Sequence, residues 1–175
     1  MATATSATPF AQFAANPVLL KAIVNSVESC LTMCDMQARC VGVSTIPTRD
    51  PGIVTGLVGV HGAVSGFITV NLAEKAALAA VAGLLQEQVH TLSGQVVDGV
   101  GEISNIIAGG IKKGLAGSPW AFSNVTVPSV IVGNNYQIAF TKGLEYLAAT
   151  FERVNEEAVM LSDRLMQVAV SLIRL

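Results

Sequence analysis

From Gly52 to Leu72 the chain carries no Asp, Glu, Lys or Arg, and this stretch limits what the rest can fold into. It is long enough to cross a bilayer as a helix. Its composition argues otherwise: five glycines break it, and Thr55, His61, Ser65, Thr69 and Asn71 punctuate it, whereas a spanning helix is more continuously apolar. The β-branched runs Ile53–Val60 and Ala63–Leu72, joined by a tight His61-Gly62 connection, predict a β-hairpin in a soluble protein. In the second run Val64, Ile68, Val70 and Leu72 fall on one face and Ser65, Thr69 and Asn71 largely on the other. Phe67 interrupts that polar face, so the face is expected to be partly covered.

The elements around the hairpin are set by periodicity and by breakers. Pro17 opens a helix running to about Asp35, with Val18, Ala22, Val24, Val27, Leu31 and Cys34 as its predicted buried stripe. Val41–Ile46 reads as a short strand closed by a turn at Pro47–Gly52. After the hairpin, Ala73–Leu85 predicts a helix capped by Asn71 or a neighbour. The longest helical pattern, about Val96–Leu115, ends at Gly117, Ser118 and Pro119. Val125–Val132 is a strand whose Pro128 implies an edge or a bulge. Leu144–Val154 and Met166–Arg174 are two more strands, with a short charged helix between them at Asn155–Leu165. Consecutive strands and segregated helices predict an α+β domain, an antiparallel sheet of about six strands with two long central helices on one face and an N-terminal helix. Residues 1–16, rich in Ala, Thr and Ser, are expected to be a loosely ordered tail, neither a signal peptide nor a membrane span. Residues 17–175 are expected to form a single domain.

Composition removes several function classes. With 175 residues, 51% hydrophobic and 13% charged, the chain folds with little surface charge to spare, which favours association over a strict monomer. Ten basic residues without a cluster, net charge −2 and 5% aromatics leave no footprint for nucleic acid. Three cysteines, Cys30, Cys34 and Cys40, an odd count, point to a reducing, cytoplasmic compartment. Cys30 and Cys34 are spaced as two helical ligands, but with no His or second Cys pair nearby they read better as small buried hydrophobes than as a metal site. Ser65, His61, His90 and Asp98 supply the residue types of a hydrolytic triad without a nucleophile elbow. No phosphate-cradling glycine motif is present.

The central helix carries the one constellation with chemistry. At 100° per residue, Val96, Val100, Ile103, Ile107 and Ile111 fall within a stripe about 60° wide, the core face, and Val97 and Ile106 widen it. Glu102 and Asn105 lie well away from that stripe, and Asp98 and Gly109 share their face. Gly99, Gly101, Gly109, Gly110 and Gly114 all fall in this one helix, at a cost of up to about 1 kcal/mol each relative to Ala. On the exposed side, one turn from Asn105, Gly109 suggests that a partner approaches closely. By physics alone a glycine-rich buried helix with a solvated polar face explains the pattern too.

The run Gly-Glu-Ile-Ser-Asn-Ile-Ile-Ala-Gly-Gly, residues 101–110, resembles the signature helix of the CheC/CheX/FliM family of chemotaxis and flagellar-switch proteins. It is most similar to the CheX branch, with one Glu-x-x-Asn motif followed by Ala108-Gly109. CheC-type proteins usually carry two such motifs; here the first helix offers Asn25 and Glu28 in reversed order, so one site is expected. The resemblance implies a protein phosphatase of two-component signalling that binds a phosphorylated CheY-like response regulator and hydrolyses its aspartyl phosphate. It implies that Glu102 pairs with a receiver lysine and that Asn105 orients the attacking water. Asp98, Gly109 and Lys112 would border the docking surface. The Mg²⁺ would come from the receiver, with none bound by this chain. The alternative is a non-catalytic CheX-like module that docks on a receiver or flagellar-switch protein without hydrolysing anything.

Overall fold

In the computed structural model, Asn16 and Pro17 start the first helix, α1 (Pro17–Met33), as the sequence requires. Asn16 accepts the Leu19 amide on Oδ1 at 3.3 Å and Pro17 takes the first helical position. Residues 16–47, 52–134, 136, 138, 143–154 and 160–174 are described. The expected tail at residues 1–16 therefore lies outside the described residues except for Asn16, as do most of the turn at 47–52 and residues 155–159 of the expected charged helix. The hairpin forms as read, β2 (Val54–Gly62) against β3 (Val64–Leu72), in antiparallel register from Val54 opposite Leu72 to Val60 opposite Gly66. Before it comes β1 (Ala38–Ser44), three residues longer at its start than the β-branched run. After it come α2 (Glu74–Leu85) and α3 (Gly94–Gly114).

The predicted strand Val125–Val132 is two strands, β4 (Phe122–Val125) and β5 (Ser129–Val132), both paired with β2 at different ends. Pro128, with no amide hydrogen to give, sits in the break between them. β6 (Glu145–Arg153) and β7 (Leu165–Arg174) complete a seven-stranded antiparallel sheet in the order β1-β6-β7-β3-β2-β4, with β5 beside β2. A 3₁₀ turn at Leu161–Arg164 leads into β7. The fold is α+β, with the three helices packed over one face of the sheet.

Two local expectations change. The buried stripe of α1 is Leu19, Ala22, Ile23, Ser26, Val27, Cys30 and Leu31, while Val18 is exposed. The helix is wedged between the sheet and α3, and a two-sided contact selects a wider arc than a single stripe. Asn71 is not the cap of α2, whose N-cap position is Ala73 without a side-chain bond. Asn71 instead belongs to a polar row across the sheet's other face. Thr55 Oγ1 donates to Asn71 Oδ1 at 2.8 Å, Asn71 Nδ2 to Gln167 Oε1 at 3.5 Å, and Gln167 Nε2 to Thr150 Oγ1 at 3.5 Å. These four residues are register neighbours on β2, β3, β7 and β6. Thr55, Thr69 and Asn71 are buried and the Tyr136 hydroxyl meets Thr55, so the polar face is covered there.

Candidate functional site

Helix α3 is held from beneath by the predicted stripe: Val96, Val100, Ile103, Ile107 and Ile111 are all fully buried. At about 1.5–3 kcal/mol for each large apolar side chain taken from water, this burial outweighs the helix-propensity cost of the glycines. Buried Ser104, on the β2 side, donates to its own helix at Val100 O, 2.7 Å away.

Packing accounts for three of the five glycines. A Cβ on Gly99 would lie 2.7 Å from Val81 of α2, one on Gly110 would overlap Ser26 of α1, and one on Gly114 would lie 3.0 Å from Ala22 Cβ. At Gly101 a Cβ would make ordinary contact with Val130 of β5 at 3.8 Å. Gly109 differs from all of these. It is exposed, it is helical, and among the described residues a Cβ there would meet nothing within 4 Å. No described neighbour accounts for its lacking a side chain.

Asp98, Glu102, Asn105 and Gly109 are all exposed, and Lys112 is half-buried. Their spacing of three and four residues puts them along one side of α3, opposite the stripe. Among the described residues the side chains of Asp98, Glu102 and Asn105 have no hydrogen-bond or ion-pair partner. The face thus offers a carboxylate able to take a cation, an amide able both to donate and to accept, and a bare stretch of backbone one turn further on. Lys112 and Lys113 occupy the last turn, where cations complement the helix C-terminus. The sequence gives no warning of Val130: that β5 borders the motif at Gly101 is a contact between elements nearly thirty residues apart.

The other candidates do not assemble. Cys30 and Cys34 are buried free thiols; a hydrogen bond with Cys34, together with burial, pushes the Cys30 thiol well up. Among the described residues no group of three or more His, Cys, Asp or Glu is placed to hold a metal ion. His61 Nδ1 lies 3.2 Å from Ser65 Oγ at the exposed hairpin turn, with no carboxylate bonded to the ring among the described residues. A cavity of about 870 Å³, lined in part by Asn71, Lys75, Thr150, Asp163 and Gln167, includes no residue of the motif. None of the described helices is long and apolar enough to cross a membrane.

The chain matches the family model described as chemotaxis phosphatase CheX over residues 54–152. Its fold is that of a CheC-like superfamily protein from Shewanella sp. PV-4, at 22% identity and TM-score 0.75, covering 90% of this chain and 98% of that one. A chemotaxis protein CheX from Desulfovibrio desulfuricans is similar at 23% identity and TM-score 0.73, covering 87% and 98%. So is the Borrelia burgdorferi CheX–CheY–BeF₃–Mg²⁺ complex, at 22% identity and TM-score 0.68, covering 90% and 96%. Comparison with curated proteins finds no match.

Proposed function

The chain belongs to the family of CheX chemotaxis phosphatases, whose model spans more than half of it, and on that premise we propose that it hydrolyses the aspartyl phosphate of a CheY-like response-regulator receiver. The observation that carries this reading is the unpartnered Glu102–Asn105 pair, exposed on a helix whose opposite side is fully buried, beside a glycine that packing does not explain. The CheX–CheY–BeF₃–Mg²⁺ complex among the similar structures supports a receiver as partner and the receiver as the source of the metal.

In this reading the Glu102 carboxylate pairs with a lysine of the receiver and sets the docking register, as a charge-assisted bond formed only in the complex. Asn105 then reaches the phosphorylated aspartate. Its amide oxygen accepts a hydrogen from a water and so holds the water oxygen in line with phosphorus. The new P–O bond forms as the bond to the aspartyl oxygen breaks, the electron pair returns to the carboxylate, and the water's proton leaves with phosphate or solvent. Mg²⁺ on the receiver supplies charge neutralisation at the phosphoryl oxygens. Positioning is most of what phosphoryl transfer asks of a protein, and an amide supplies it without titrating. Gly109 leaves room for the receiver's loops against α3, with Asp98 and Lys112 bordering them.

The test is phosphate release from phosphorylated receivers with and without the protein. Wild type accelerates loss, Asn105→Ala lowers the rate constant by about 100-fold, the scale of losing a positioned reactant, and Glu102→Ala raises KM. Failure to accelerate loss from any receiver defeats the reading, and full activity in Asn105→Ala defeats the assignment of the site. Complex formation that weakens in Glu102→Ala while decay keeps the receiver's own rate identifies a docking module instead.

A further inference from the structure

Asn105 acts from a helix, so its aim depends on the rotation of that helix about its own axis. The tip of a side chain on α3 lies roughly 5–6 Å from the axis, and a turn of about 10° moves it by about 1 Å. A displacement of that size can cost about 100-fold in a reaction governed by positioning. Something must therefore fix the phase of α3 more tightly than a greasy stripe, which tolerates small rotations.

The contact with α1 has the required form. Ser26, buried in α1, donates from Oγ to Ile107 O of α3 at 2.7 Å. That carbonyl is two residues beyond Asn105. One helical turn back, the Cys30 thiol points at Ile103 O at 3.9 Å. Facing Ser26 on α3 is Gly110, where a Cβ would overlap Ser26 Oγ and lie 2.9 Å from its Cβ. Turning the hydroxyl away would relieve only the first overlap and would break the buried bond to Ile107. On the opposite flank Ser104 fills the space over Gly56 of β2, where a Cβ would lie 2.8 Å from Ser104 Cβ. Helix α3 is thus in close contact on both flanks, with Ser26 against Gly110 and Ser104 against Gly56.

We propose that Ser26 and Gly110 are positioning residues for Asn105: an interlock between α1 and α3 that sets the rotation of the catalytic helix. The inference rests on the phosphatase reading for its effect on rate, but the geometry it predicts does not.

The experiment moves one methyl-sized group across the contact. Gly110→Ala pushes α3 off α1, and Ser26→Gly/Gly110→Ala returns the space to the pair at the cost of the hydrogen bond. Phosphate release is measured well below the melting temperature of each variant, with wild type and Asn105→Ala alongside. Gly110→Ala is expected to lower kcat by about 10- to 100-fold with KM changed less than about twofold, since a flexible Glu102 tolerates a small shift. The double variant is expected to recover most of kcat. A crystal structure of Gly110→Ala should show α3 turned against the sheet with Asn105 displaced, and this readout stands even if no receiver is hydrolysed. Asn105 unmoved in that structure overturns the inference. So does a kcat of Gly110→Ala equal to that of an active wild type, or a loss that follows only the folded fraction. Hydrolysis absent in wild type defeats the phosphatase reading alone.

Discussion

At Gly109 the demands of stability and of the proposed function oppose each other. A helical, exposed glycine with no described residue within 4 Å of its missing Cβ costs up to about 1 kcal/mol of stability relative to Ala. Gly109→Ala is therefore expected to raise the melting temperature and, if a receiver must lie against that turn, to slow hydrolysis of its phosphate. A variant that is more stable and fully active would remove Gly109 from the site. The exposure of this residue, and of Glu102 and Asn105, was legible in the sequence, because a strong 3.6-residue pattern fixes which side of a helix is free. The reasons for Gly99, Gly110 and Gly114 were not, since each exists to admit an atom of another element: Val81, Ser26 and Ala22. Cys30 and Cys34 were legible as small buried residues of the first helix, whereas Cys40 is only half-buried.

Among the elements, the strands and helices with unbroken periodicity appear where the sequence puts them, and the departures have local causes. Pro128 divides one predicted strand into β4 and β5, and double-sided packing shifts the stripe of α1. At the far edge of the sheet an ion-pair cluster ties β1, β6 and the 3₁₀ turn before β7 together. Glu152 Oε2 accepts Arg39 Nε and Nη2 at 3.2 and 2.9 Å, and Glu152 Oε1 lies 3.3 Å from Arg164 Nη2. The Arg39 hydrogen bond, with the charges of Arg39 and Arg164, holds the Glu152 carboxyl below its ordinary range against a smaller opposing effect of burial. A depressed carboxylate pKa stabilises the fold above the ordinary value, and that contribution is lost as the pH falls through the depressed one. Denaturant titrations of wild type and Glu152→Gln should therefore differ at pH 7, with wild type the more stable, and converge in acid. A difference that persisted at the lowest pH would assign the effect to packing.

Over the whole molecule, 13% charged residues spread across a sheet with open edges leave few repulsive groups to keep two copies apart. We propose a homodimer; sedimentation at tens of micromolar protein should give twice the chain mass, and a monomer there would overturn it. The sequence by itself determined the α+β class, the charge-free hairpin, the helix that bears the motif and the side of it that faces outward. These follow from periods of two and 3.6 residues, which are properties of neighbours along the chain. The sheet order β1-β6-β7-β3-β2-β4, the polar row from Thr55 to Thr150, the nearness of β5 to the motif and the seat of Ser26 on Ile107 were decided only by the tertiary structure. Each is a contact between residues far apart in sequence. Local periodicity says that an element has a face to bury, but which partner covers it, and at what rotation, is settled only when all the faces are packed at once.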